Sequence, residues 1–589
     1  MAFNRARVPD PASPIHPLAI KPLFDKLPNH DKLYAHYLSK AAWAGTRIIF
    51  RQTSEESEDI FDLIMKTYLA CEGKWSLLVE ACALTDAEIK AFSSYAGLFL
   101  YYLRNFYGGQ KFVPDLCKES LSEIMRYAGI PEPAAGSLIE SMTARTPHGI
   151  GYPNDTTASS YYLGDRITRE EIEEVQQFMQ DKGTKSENTR ASSESPGQKP
   201  TTTGRHPGSK VRIVRGDHQR EMSNICKHLK SAKTYAQSTD RELMLDYYIL
   251  SFEQGSLTAY RQGQEFWAKD VSPSIEHILG FVESYRDPHG ARAEWEGVVC
   301  IANPEETKKM EAPKASAGRF CTSLPWVTSE NAGKGLFEKD VVVIPHCAIV
   351  HALTVCCPYV WEASNLPNYN DIRENHGSKN IIIVNRMSAN RNSPGASIYL
   401  QPSDRDLYRQ DLRTIRFVAT VIHELLGHGT GKLLSETGPD IFNFDVTNPP
   451  IDPLMGQEVA SWAILMSAYL IDNKDILGIF VYDGKSTLTA DDLFYLSYLH
   501  LGVEGLRSLE HYNPDTKKLT QAHSQGYFAI FKHLLTEGNG VLTVHHDANT
   551  SGLHVTVDRT KIISDGKPAL GRMMFYFAYL AVHSECRGI

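Results

Sequence analysis

Apolar side chains recur at helical spacing through most of the first 180 residues. Tyr34, Tyr37, Leu38, Ala41 and Ala42 share one face, and Phe92–Leu103 is dense in aromatics, a pattern that predicts buried and half-buried helices. The pattern stops between Gly183 and Lys210, which contains one alanine and no larger hydrophobic side chain. Such a stretch buries too little to order itself, so residues 183–210 are expected to form a disordered linker. Beyond it, Met222, Ile225, Leu229, Ala232 and Tyr235 mark one helix. A second is expected to open at Thr239-Asp-Arg-Glu242, the spacing of a capping box. From Asp406 to Leu426, a stripe of Leu412, Ile415, Val418, Ala419 and Ile422 is joined by Phe417 and Val421. That segment is apolar nearly all round, which predicts a buried helix. Gly427, Gly429 and Gly431 then loosen or end it.

The stretch Val341–Trp361 carries no charge and has the length of a membrane span. Pro345 and Pro358 interrupt it and His346 and His351 lie inside it, so Val341–Ile344 and Ala348–Val355 are expected to be two short buried segments instead. His346, Cys347, His351, Cys356 and Cys357 match no zinc spacing and are expected to be buried side chains. With 22% charged residues and a formal charge of −9 over 589 residues, the chain has no basic footprint for nucleic acid or anionic lipid. Its ten cysteines form no C-x-x-C pair, and the start, MAFNRARVPDPASP, has no apolar signal segment. A cytoplasmic protein with reduced thiols, binding neither nucleic acid nor membrane, is expected.

The chemistry concentrates in VIHELLGHGT (Val421–Thr430). A zinc-binding helix usually carries H-E-x-x-H, with two histidines four apart on one face. Here His423 and His428 are five apart, and at about 100° per residue a regular helix would turn them away from each other. An i→i+5 bulge would restore a common face. His423 and His428 would then supply two imidazoles, while Glu424 would serve as the base that takes a proton from water. The overlapping G-H-G-T-G-K432 is not a phosphate loop, because it lacks the earlier glycine and has Leu433 where Ser or Thr is needed.

The hexapeptide H-E-L-L-G-H resembles the signature of the dipeptidyl peptidase III family. KLYAHYLSKAAWAG (Lys32–Gly45), KFVPDL (Lys111–Leu116), FVESYRDPHGARAEWEG (Phe281–Gly297), NLPNYNDIR (Asn365–Arg373), FNF (Phe442–Phe444) and QAHSQ (Gln521–Gln525) resemble further family segments in family order. The resemblance implies an α+β fold of two lobes, a mainly helical zinc lobe and a lobe with a β-barrel core plus helices, with a wide cleft between them. Residues 1–303 and 348–394 would form the lower lobe, and 304–347 with 395–589 the upper. It also implies a zinc exopeptidase, with one Zn2+ per chain, that releases dipeptides from short oligopeptides with a free N-terminus. By the same resemblance, Tyr285 and His523 join Glu424 as catalytic residues. Glu283 and Glu296 would hold the substrate's α-amine, and Asn365 and Asn368 its backbone.

Three features depart from that family. Its third zinc ligand belongs to a second motif, E-E-C-R-A, which is not found where the chain runs from GQEVASW into AILMSAYLIDNKDIL. Glu458 is the nearby carboxylate that could replace it. Counting back from Tyr469-Leu470 puts the family glutamate near Ala460, two residues or about 200° round a helix from Glu458. Ser584-Glu-Cys-Arg587 resembles the motif only by chance. The family's glycine-rich run before NLPNYNDIR is here CCPYVWEAS, and the chain ends at Ile589, earlier than in relatives. The competing reading is a homologue impaired in catalysis that acts as a peptide-binding or interaction protein.

Overall fold

A computed structural model of the chain describes residues 18–107, 109–163, 167–193, 211–325, 346–389, 398–427, 436–438, 441–442, 459–480, 489–513, 518–519, 522–547 and 552–574. Its centre is a five-stranded mixed sheet of β1 (Ile275–Phe281), β2 (Trp295–Ala302), β3 (His346–Cys356), β4 (Ala363–Leu366) and β5 (Lys379–Ile383), in the order β4-β5-β3-β2-β1. Neighbours run antiparallel except β3 and β5, which are parallel. Among the described residues the sheet stays open, with β4 and β1 as its edges, so the expected β-barrel core is only a half-barrel here. β1 and β5 are buried along their whole length, the condition under which a strand reads as a continuous apolar run. The apolar stretch Ala348–Val355 lies within β3, while Val341–Ile344 lies outside the described residues. Among those described, no helix is long and apolar enough to cross a membrane.

Side chains alternate across the sheet, and the buried residues sort accordingly into two clusters. Ala348, Val350, Ala352, Ile381 and Ile383 face the first, whose other members come from residues 34–301 together with Cys356, Cys357 and Leu366. Cys347, Ile349 and Ile382 face the second, built from Met310–Leu324 and from Leu400 onward. In the first cluster, α1 (Asn29–Ala44) buries Tyr34, Ala35, Leu38, Ala41 and Ala42, the face its periodicity predicts. Gly297 of β2 makes that packing possible: a Cβ there would sit 2.8 Å from both Cα and Cβ of Ala42. The second cluster is helical. It draws on α2 (Pro402–Ile422), α3 (Val459–Leu470), α4 (Ala490–Ser508) and α5 (Ala522–Glu537).

Two local expectations are corrected. Gly183–Ser193 is ordered, through hydrogen bonds and the burial of its one apolar side chain, Ala191, beside Tyr161 and Tyr162. Ala191 and Ser192 pair with Tyr162 and Leu163, the Glu187 carbonyl accepts from the Ala293 N–H at 2.8 Å, and Arg190 pairs with Asp217 at 2.5 Å. The remainder of the expected linker, residues 194–210, lies outside the described residues. The helix Thr239–Gln254 is capped one residue earlier than expected, by Ser238, whose hydroxyl accepts from the Arg241 N–H at 3.3 Å.

Overpacking the contact between β2 and α1 is expected to destabilise the protein. Gly297→Ala should lower stability by about 1–3 kcal/mol, the usual range for an inserted core methyl, and Ala42→Gly in the same chain should recover part of it. Thermal midpoints of the three proteins decide this; no shift in the single variant would contradict the close approach.

Candidate active site

Helix α2 does not end as an ordinary helix. At His423 it widens into a π turn spanning His423–Gly427, the i→i+5 geometry that the five-residue histidine spacing requires. His428 itself lies outside the described residues, as does Glu458, which immediately precedes α3 in sequence. Gly427 is buried against α3, and a Cβ on it would lie 2.6 Å from Cα and Cβ of Ala463. Leu425 and Leu426 anchor the turn in the second cluster.

Glu424 is 4% exposed. Its Oε1 lies 4.0 Å from His423 Nε2, and its Oε2 has no hydrogen-bond partner among the described residues. Burial pushes its carboxyl up to about 8, opposed by the positive charge of Arg373. A buried carboxylate oxygen without a partner beside a histidine is a feature of sites that take up a proton or a cation.

The turn is tied to the sheet by a chain of side chains of which sequence reasoning assigned only Asn365. Asn380 on β5 donates its Nδ2 to the Glu424 backbone carbonyl at 2.6 Å. Asn365 on the edge strand β4 donates to Asn380 Oδ1, and Arg373 Nη1 donates to Asn365 Oδ1. Asn380 is fully buried, and the signal for it in the sequence is one amide at the head of the apolar run Asn380-Ile-Ile-Ile383. Asn365 therefore belongs to the support of the site as well as to its surface. Asn368, three residues on, is exposed and donates to the Val282 carbonyl at 3.4 Å.

Glu283 and Tyr285 follow β1 and Glu296 lies on β2. The turn between the strands is set by Asp287. Its buried carboxylate accepts the N–H groups of His289, Ala291 and Arg292 at 3.0, 2.9 and 2.7 Å, the local capping at which Asp excels. Arg286 is committed to Glu294, at 2.6 and 2.8 Å from its two oxygens. Among the described residues Glu283 and Glu296 have no ion pair. Burial raises the Glu283 carboxyl to about 7, opposed by hydrogen bonds from Asn368 and Tyr285. Burial raises Glu296 well above the ordinary range, and the charges of Glu283 and Glu294 add to the rise. Two carboxylates short of positive charge suit a cation.

Rings complete the arrangement. His523 near the start of α5 stacks with His423 at 6.2 Å between centroids, and burial lowers its imidazole to about 4. Tyr285, 37% exposed, lies 6.5 Å from His523. The structure thus gathers His423, Glu424, Tyr285, His523, Glu283 and Glu296 into one region, with Asn365 and Asn368 at its edge. Trp361, another residue that sequence reasoning did not single out, packs at 5.7 Å from Tyr285 and 6.2 Å from His523.

The model of peptidase family M49 matches residues 135–465 and 463–582. The two matches meet where the sequence lacks the second motif, and there α3 runs on unbroken. Dipeptidyl peptidase 3 of Rattus norvegicus is 32% identical over 609 residues, covering 92% of this chain and 80% of the relative. That of Homo sapiens gives the same figures, and that of Dictyostelium discoideum is 31% identical over 613 residues, covering 96% and 86%. In fold, the chain is similar to DPP III from Caldithrix abyssi, with a TM-score of 0.58 at 16% identity over 96% of this chain and 94% of that one. Dipeptidyl-peptidase III from Corallococcus sp. strain EGB gives 0.57 at 17% identity, over 98% and 89%.

The side-chain chain holding the turn is expected to act as a unit. Asn380→Leu should cost about 1–3 kcal/mol by stranding buried polar groups. Adding Asn365→Ala should cost less than its effect alone, because the two amides share one network. Additive shifts in thermal midpoint would show that they act separately.

Proposed function

The chain belongs to peptidase family M49, and from that premise we propose that it is a zinc-dependent exopeptidase releasing dipeptides from the free N-termini of short peptides. The observation that carries this is Glu424, a buried carboxylate with an oxygen unpartnered among the described residues, placed next to His423 at the head of a π turn. Zinc would be held by His423 and His428, with Glu458 as the nearby carboxylate that could stand in for the third ligand, a nitrogen and oxygen donor set that suits it, and when bound it would polarise water and the scissile carbonyl. The π turn supports the pairing of the histidines, since a regular helix would separate them.

Glu424 takes the proton from the attacking water and returns it to the leaving amine. Tyr285 donates its hydroxyl to the carbonyl oxygen as negative charge develops there. Glu283 and Glu296 hold the α-ammonium, and neither is engaged in an ion pair among the described residues. Asn368 and the Asn365 edge of β4 meet the peptide backbone; an edge strand has unpaired backbone groups to offer. His523, kept neutral by burial, lies beside His423 to bind the reacting group. The two buried clusters would be the cores of two lobes, with the cleft along the sheet edge. Cys71, Cys82, Cys117, Cys226, Cys300, Cys347, Cys356 and Cys357 are free thiols, in keeping with a cytoplasmic location.

Glu424→Gln should retain about one zinc per chain by elemental analysis yet release dipeptides roughly 10²–10⁴-fold more slowly, the usual contribution of a general base. Loss of the metal in that variant would contradict the assignment. The wild-type protein should cleave a free-amine tetrapeptide and spare its N-acetylated form; equal cleavage would remove the ammonium-binding role of Glu283 and Glu296.

The pH profile offers a separate test. Glu283 must be ionised to hold an ammonium, and burial raises its pKa to about 7. kcat/KM should therefore rise as pH increases through about 7 and fall above about 8, where the peptide's own amine loses its proton. A profile flat from about pH 6 to pH 8 would count against this assignment of Glu283.

A further inference from the structure

Trp361 stands in the segment joining β3 to β4, and it touches both ends of the proposed substrate path. Its ring meets Tyr285 edge-on at 5.7 Å and lies 6.2 Å from His523, which is itself 6.5 Å from Tyr285. The three rings close a triangle. The Trp361 side chain also hydrogen-bonds toward Glu296, where it opposes the burial-driven rise of that carboxyl. The proposed reaction puts the substrate ammonium at Glu296 and the scissile carbonyl at Tyr285. Between those two points lie the two residues to be released, at most about 7 Å of extended chain.

We propose that Trp361 is a specificity-determining residue, the wall of the pocket that receives the substrate's first side chain, and that it restricts that side chain to small ones. The inference rests on the peptidase reading above. An indole is among the largest side chains a wall can be made of, and this one is backed by its neighbours. Tyr359 packs against it at 4.8 Å. The next residue, Glu362, is held by Arg416 of α2 at 2.7 Å and by Arg386 at 3.8 Å. Arg416 lies two turns before His423 on the same helix, so the wall and the π turn are referenced to one element. A peptide with a bulky first residue meets this backed ring.

The test uses the full-length protein and two free-amine tetrapeptides, Ala-Ala-Ala-Ala and Phe-Ala-Ala-Ala. kcat/KM for dipeptide release is measured for wild type, Trp361→Phe and Trp361→Ala. Calorimetric Kd values are measured for the same three in a Glu424→Gln background, where turnover does not interfere. Wild type should prefer the alanine peptide. Trp361→Ala should shift the Phe-to-Ala ratio upward by about tenfold or more, within the range that pocket size commands, and Trp361→Phe should fall between. Thermal midpoints report whether each variant is folded, and the phenylalanine variant keeps the test open should the alanine variant unfold. An unchanged or lowered ratio in folded variants overturns the proposal while dipeptide release stands. No release by wild type would sink the peptidase reading alone, because the Kd ratios still decide the role of Trp361. Failure of both peptides to bind any of the proteins overturns both.

Discussion

Gly427 carries no side chain where Ala463 leaves no room for one, and the active region is arranged around that contact. A π turn is a poorer helix than its neighbours, with carbonyls that miss their usual partners, so it persists only where its surroundings hold it. Three surroundings do so here. Helix α3 closes on Gly427, Leu425 and Leu426 sink into the second cluster, and Asn380 reaches from the sheet to the Glu424 carbonyl. Each acts on a different side of the turn. The orientation of His423 and Glu424 is thus a property of tertiary packing, which local helix propensity alone would not produce.

The electrostatic side of the site follows a similar logic. Arg286 satisfies Glu294, and Asp287 spends its carboxylate on the backbone of its own turn. What remains beside that turn is Glu283, the buried Glu296 of β2 and the Tyr285 hydroxyl, with no ion pair to either carboxylate among the described residues. Strongly shifted groups gathered in one place are a mark of function more often than of stability, since an ion pair would have been the more stable solution. Among the described residues neither Glu283 nor Glu296 has an ion pair, and only the charge of Arg286, itself engaged with Glu294, opposes the rise at Glu296.

How much of this the sequence discloses depends on the range of the interaction involved. The distorted turn was legible because a histidine spacing of five is a local fact with one geometric remedy. The face of α1 was legible because Tyr34, Leu38 and Ala41 repeat with the helix. Glu283, Tyr285, Glu296 and His523 came from resemblance, and the structure brings them together. Asn380 and Trp361 were missed for different reasons. An amide at the head of a strand has the same local appearance whether it faces water or a distant carbonyl, and a tryptophan in a connecting segment takes its meaning from rings brought near by folding. Gly183–Ser193 misled because composition reports apolar burial, whereas that segment is ordered by backbone and guanidinium hydrogen bonds as well as by its one buried alanine, Ala191. The capping residue was misplaced by one because Ser238 and Thr239 offer the same hydroxyl.

The alternation along β5 has a genetic consequence. Ile381 and Ile383 belong to one core and Ile382 to the other, while Asn380 secures the turn. Inserting or deleting one residue here would exchange the faces of the strand, delivering each isoleucine to the wrong core and carrying the amide away from its carbonyl. Length change in Lys379–Ile383 is thus barred three times over, by two cores and a reaction centre. Drift in this strand can proceed by substitution alone, and chain-length variation must accumulate in the connections on either side.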